Sequence, residues 1–115
     1  MDWVLKDRDQ NGNFVTIALP KEMPQAFVCS CGQTALNLVN LLKDSGYRVP
    51  EDIAVVGYDD YRFSEMCTPQ LTSYQVNSSD MARHVVTRLI RMICGNTITK
   101  GNIVVKGHIV KRASI

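Results

Sequence analysis

Two carboxylates in succession, Asp59 and Asp60, close the apolar run Ile53–Tyr58. A continuous apolar run of that length reads as a strand buried in a sheet. In open parallel sheets, ligands bind beyond the carboxyl ends of the strands. An ionised carboxylate only accepts hydrogen bonds, so one placed there suits the hydroxyls of a sugar or the N–H groups of an amine. A helix N-cap or a plain loop acid fits the same position equally well. A receiver-type phosphoacceptor would also need an earlier acidic pair and a later lysine, and the chain offers no such set. Ser30-Cys31-Gly32 follows a second apolar run, Ala26–Cys29, and so falls at the same edge of the sheet. Cys31 as a nucleophile needs a base beside it. The one central histidine, His84, sits on a predicted helix with nothing to link the two, which leaves an inert thiol as the simpler reading. There is no P-loop, no G-x-G-x-x-G and no H-E-x-x-H.

The remaining chemistry-bearing residues read as scaffold. Cys29 and Cys31 make a C-x-C rather than the C-x2-C of zinc sites, and Cys67 and Cys94 supply no second pair. Four small apolar residues are then the expectation, with neither metal nor disulfides. Arg83, Arg88 and Arg91 share one predicted helix. They suit either a phosphate or, more simply, solvent. Thirteen basic residues against eleven acidic give a net charge of +2. That is no nucleic-acid-binding balance. A chain of 115 residues, 45% hydrophobic and 21% charged, fits one ordinary globular domain. Its apolar runs are too short to span a membrane. Met1–Asp7 lacks the pattern of a secretory signal, so a reducing, cytoplasmic setting is expected.

The elements that must position these residues follow from periodicity. Trp3-Val4-Leu5 is a short apolar patch, and Asn11-Gly12 is a turn signal that allows a hairpin. Phe14–Leu19 reads as a strand or extended segment stopped by Pro20. Ala26–Cys29 reads as a strand buried on both faces. Thr34, Ala35, Leu38, Val39, Leu41 and Leu42 recur at helical spacing, with Gly46 as the stop and Pro50 beyond it. With Ile53–Tyr58 as the next strand, the middle of the chain is β-α-β, which requires a parallel sheet and a right-handed crossover. Leu71–Val76 is a third extended segment. Ser78-Ser79-Asp80 offers N-cap residues for a helix carrying Met81, Val85, Leu89, Met92 and Ile93 on one stripe, ended by Gly95. Ile103–Val110 is β-rich, with Gly107 marking a bulge or bend. The fold class is α/β, a Rossmann-like parallel sheet flanked by helices.

Taken in order, several strings resemble the effector-binding core of the lac-repressor-like (LacI/GalR) family of bacterial transcription regulators. They are Pro24–Cys29, Gln33–Leu36, Gly46–Asp60, Pro69–Ser73 and the closing Val110–Ser114. The resemblance begins at about Pro20, leaving 1–20 as a poorly matched segment and 21–115 as part of an effector-binding domain. It implies the C-terminal subdomain of a periplasmic-binding-protein-like type I fold, in which two subdomains close on a small molecule, usually a sugar or nucleoside-like compound. It also implies an operator-binding headpiece that this chain does not contain. By the resemblance Asp59 is the effector-contacting acid. Ser30, Cys31, Gly32 and Tyr61 are its companions around the pocket. Cys31 stands where the family often has Asn, and Gly32 where it usually has the Asp that opens the next helix.

The helix Gln33–Asp44 and the loop Tyr61–Thr68 match the family's dimer interface, which assigns Leu38, Leu42, Tyr61 and Met66 to it. The helix within 77–95 would cross to a first subdomain that the chain lacks. Its apolar stripe then faces water, so self-association through that stripe is expected. The expected function is ligand sensing and dimerisation without bond chemistry, cofactor, metal or membrane contact. The rival is a piece of a sugar-binding protein of a transport system, which shares the fold.

Overall fold

The structure, a computed structural model, describes residues 4–97 and 101–115. The apolar patch at Trp3 therefore begins outside the described residues. Seven elements follow in order: β1 (Ala26–Val28), α1 (Gly32–Asp44), β2 (Ala54–Asp59), α2 (Phe63–Met66), β3 (Thr72–Gln75), α3 (Ser78–Ile93) and β4 (His108–Val110). The four strands make one sheet in the order β1-β2-β3-β4. β1, β2 and β3 run parallel, with Val28 opposite Val56 and Val56 opposite Thr72. β4 closes the far edge antiparallel to β3.

α1 forms for the reason its spacing suggests. Ala35, Leu38, Val39 and Leu42 share one face and are at most 2% exposed. That face meets Val55 of β2, together with Cys29, Ile53, Cys67 and Leu71, in one core. Gly46, with a φ of +87°, turns the chain out of the helix, its amide donating to Lys43 O and that of Tyr47 to Leu42 O. β1 departs from the expected burial on both faces. Only one of its faces is covered: Phe27 packs against the core, while Val28 on the other face is 84% exposed.

Three further stretches depart from their sequence pattern. Phe14–Leu19 joins no sheet; a single antiparallel bridge, Arg8 to Phe14, closes the turn at Asn11-Gly12. There the Asp9 carboxylate accepts the amides of Asn11 and Asn13, both at 2.8 Å, and backbone bonds from Asp9 N to Asn13 O and from Val15 N to Asp7 O make a short hairpin that extends no further. Within the Tyr61–Thr68 loop lies the short helix α2. Of the β-rich stretch ending at Val110, only His108–Val110 pairs. A Cβ on Gly107 would stand 2.2 Å from Gln75 O, so only glycine fits where β4 joins the sheet.

Asn77, one residue before the expected cap, caps α3 by accepting the Asp80 amide at 3.1 Å. α3 buries none of its residues, and Met81, Val85, Leu89, Met92 and Ile93 are 46–77% exposed. Among the described residues no helix is long and apolar enough to cross a membrane.

Candidate functional site

The carboxyl ends of β1 and β2 meet at one edge of the sheet. Since Val28 pairs with Val56, Cys31 and Asp59 each lie three residues beyond a paired position. β1 leaves the sheet at Val28, while β2 stays paired with β3 as far as Asp59, so both carboxyl ends open on the same edge. No hydrogen bond joins Asp59 to Ser30 or Cys31, whose side-chain bonds go to Asp7, Arg8 and Thr34.

Asp59 and Asp60 are the only non-glycine residues with positive φ among the described residues, at +81° and +46°. Aspartate tolerates this region better than most residues, and such corners cluster at ligand-binding sites. The two carboxylates have different surroundings, and Asp60 is the bonded one. It accepts Arg112 Nη1 at 2.5 Å, Arg112 Nη2 at 3.2 Å and Gln75 Nε2 at 3.3 Å. Its amide donates to Ser73 Oγ at 3.1 Å. The bonds to Asp60 push the Arg112 guanidinium above its usual pKa. Asp59 is exposed, and no described residue donates to its carboxylate.

At the end of β1 the N-terminal segment supplies partners that the sequence did not announce. Asp7 Oδ2 accepts from Thr34 Oγ1 at 2.6 Å and from Ser30 Oγ at 3.4 Å. Arg8 Nη2 reaches to 3.8 Å from Cys31 Sγ, its guanidinium stacked 4.1 Å over the Phe14 ring. Partial burial raises the Cys31 thiol pKa. Hydrogen bonds from Thr34, joined by Arg8 and the Gln33 amide, outweigh this and leave it below the usual value. Cys29 is the opposite case: burial, with the nearby charges of Cys31 and Asp7, pushes it up to about 12. Polar loop residues such as Asp7 and Arg8 carry no periodic signal, so only the fold reveals them. A cleft of about 410 Å³ lies between this segment and the β1–α1 corner, lined by Leu5, Asp7, Ile17, Phe27, Ser30 and Thr34 among others.

Two of the sequence-derived assignments need correction. Leu38 and Leu42, expected at a dimer interface, are 2% and 0% exposed within the chain's own core. The apolar stripe of α1 faces the sheet, and the outward face carries Asn37 and Asn40. Gly32, expected at the ligand, is buried against α2: a Cβ there would stand 3.3 Å from Phe63 Cβ and 3.7 Å from Ser64 Oγ. Ser64 Oγ is itself buried without a partner among the described residues. Tyr61 and Met66 do lie at the surface, 67% and 68% exposed. Below the acidic corner, Tyr58 and Tyr74 stack with ring centroids 5.5 Å apart and planes 8° from parallel, a cross-strand pair that sequence spacing left unread.

Comparison with known proteins fits this geometry. The periplasmic binding protein-like domain family matches residues 3–115, upstream of Pro20 as well as beyond it. The arabinose metabolism transcriptional repressor of Geobacillus stearothermophilus is 32% identical over 95 residues, covering 82% of this chain and 26% of its own length. The transcriptional regulator CelR in complex with cellobiose superposes with a TM-score of 0.74 at 34% identity, over 78% of this chain and 28% of that one. The lac repressor dimer bound to operator and the anti-inducer ONPF gives a TM-score of 0.72 at 34% identity, over 79% and 27%. The chain thus spans about a quarter of the length of the curated relatives it matches. With the family matched over nearly every residue and the parallel sheet of its relatives in place, the chain belongs to the periplasmic binding protein-like domain family, in its LacI-type transcription-regulator branch.

Proposed function

We propose that this chain is part of the effector-sensing domain of a cytoplasmic transcription regulator, and that its crevice at the carboxyl ends of β1 and β2 takes a sugar-like small molecule. One observation carries the reading: Asp59 ends β2 with an exposed carboxylate that no described residue occupies, at the same edge of the sheet as Ser30 and Cys31. In this reading Asp59 accepts ligand hydroxyls, with Ser30, Cys31 and Tyr61 around it. Cellobiose on the CelR relative supports the ligand class. The protein acts by binding, without bond chemistry. A ligand that prefers one of two states of the longer regulator shifts their populations. DNA contact belongs to a headpiece outside this chain, and α3 serves a second subdomain.

The test is a thermal-shift screen of neutral sugars, cellobiose and L-arabinose included, on the chain and on Asp59→Ala. A ligand that binds the native state raises Tm by mass action. Losing a charged acceptor costs about 1.5–3 kcal/mol, so the variant binds roughly 10- to 150-fold more weakly. A sugar that stabilises both proteins equally would remove Asp59 from the site.

A further inference from the structure

The acidic corner is held from a distance of fifty residues in sequence. Arg112 Nη1 sits between Asp60 Oδ1, at 2.5 Å, and Leu71 O, at 2.8 Å. These acceptors flank the loop 61–70, so one guanidinium pins both of its ends. Nη2 reaches Asp60 Oδ2 at 3.2 Å and lies 4.0 Å from Glu65 Oε1 on α2. The Arg112 amide donates to Thr72 Oγ1 at 2.9 Å, and Thr72 Oγ1 in turn donates to Arg112 O at 3.2 Å, which anchors the arginine to β3. The Asp60 side chain is 3% exposed and that of Arg112 15%. The pair is bidentate and largely desolvated, the geometry in which arginine is not replaceable by lysine.

The corner that this clamp holds is strained. Two consecutive non-glycine residues with positive φ persist only where the surroundings over-determine them. Asp59 keeps its place in the β2–β3 register opposite Gln75, but no described residue bonds its carboxylate; Asp60 has four bonds. We propose that Arg112 is a positioning residue: acting through Asp60, it fixes the left-handed Asp59-Asp60 corner and so sets where the Asp59 carboxylate stands beyond β2. The consequence for ligand binding rests on the proposed role of Asp59; the backbone consequence does not.

The experiment is heteronuclear NMR on the 115-residue chain and on Arg112→Lys and Asp60→Asn. Lysine keeps the charge but cannot serve both ends of the loop, and asparagine keeps the shape but not the charge. In both variants Val39, Leu42 and Val55 keep their wild-type resonances, while Asp59 and Asp60 lose the carbon shifts of left-handed backbone. Amide exchange at Leu71, whose N–H donates to Ser64 O, speeds up by about tenfold or more. Folded variants with an unchanged corner and unchanged exchange overturn the proposal. So does loss of the whole fold in Arg112→Lys, which makes the residue a general support. Titrating cellobiose separates the two readings. If it moves Ser30 and Cys31 while leaving Asp59 unmoved, Asp59 is not the ligand acid and the role of Arg112 stands.

Discussion

Replacing Ser114 with alanine tests how the sheet is completed. Ser114 is 0% exposed, and its side chain bonds in two directions. Oγ accepts the Thr72 amide at 2.8 Å and donates to Val55 O at 2.5 Å, while the Ser114 carbonyl accepts the Val55 amide at 3.0 Å. The serine thus fills the ladder between β2 and the start of β3. Alanine removes only the oxygen. It leaves the Thr72 amide buried without an acceptor, which costs about 1–3 kcal/mol, and takes from the Val55 carbonyl the bond that Ser114 Oγ donates. A 115-residue domain has roughly 6–17 kcal/mol of total stability. Urea unfolding followed by circular dichroism reads the loss directly. With a slope of about 1–3 kcal/mol per molar urea, the midpoint falls by roughly 0.3–3 M at constant slope. Ser79→Ala, at an exposed position of α3, serves as the control and stays within about 0.5 kcal/mol. A Ser114→Ala midpoint no lower than that of the control would refute the assignment of Ser114 as a sheet member.

Other outcomes follow from the same geometry. Leu42→Ala empties a fully buried core position and lowers stability by about 2–5 kcal/mol, read by the same urea titration; an exposed interface leucine would cost far less. Iodoacetamide mapping by mass spectrometry labels Cys31 in the folded chain and leaves Cys29 unlabelled, and the Cys31 pH profile is shifted to lower pH than that of a free thiol. Between pH 9.0 and about 12 the unfolded chain releases the Cys29 proton while the folded chain keeps it, so stability falls as pH rises through that window. Sedimentation velocity across micromolar concentrations gives association through the exposed α3 stripe, abolished by Val85→Glu with Leu89→Glu; a concentration-independent monomer removes that contact.

The sequence made the β-α-β core legible because α1 and β2 each have a single demand, burial against the other, and the spacing of Ala35, Leu38, Val39 and Leu42 expresses it. Where two demands compete, the pattern misleads. Val28 looks like a core residue in an apolar run, yet β1 is an edge strand with one open face. Resemblance points Leu38 and Leu42 to a family interface, yet they share the helical face of Ala35 and Val39, which is buried in the chain's own core. The site is half readable. The strand-end position of the candidate Asp59 is legible, but what sets Asp60 apart from it is the ion pair with Arg112, fifty-two residues further on. No local pattern carries a pairing of that span, and the same holds for Asp7 and Thr34.

The stacked tyrosines give the site an optical consequence. Tyr58 immediately precedes Asp59, and Tyr74 precedes Gln75, which holds Asp60. Two nearly parallel phenol rings at 5.5 Å couple their transition dipoles, so their near-ultraviolet dichroism depends on the mutual angle of two strands at the mouth of the crevice. The chain thereby carries its own chromophore pair beside the place where a ligand would sit, and a change at the acidic corner becomes a spectral change without any added label.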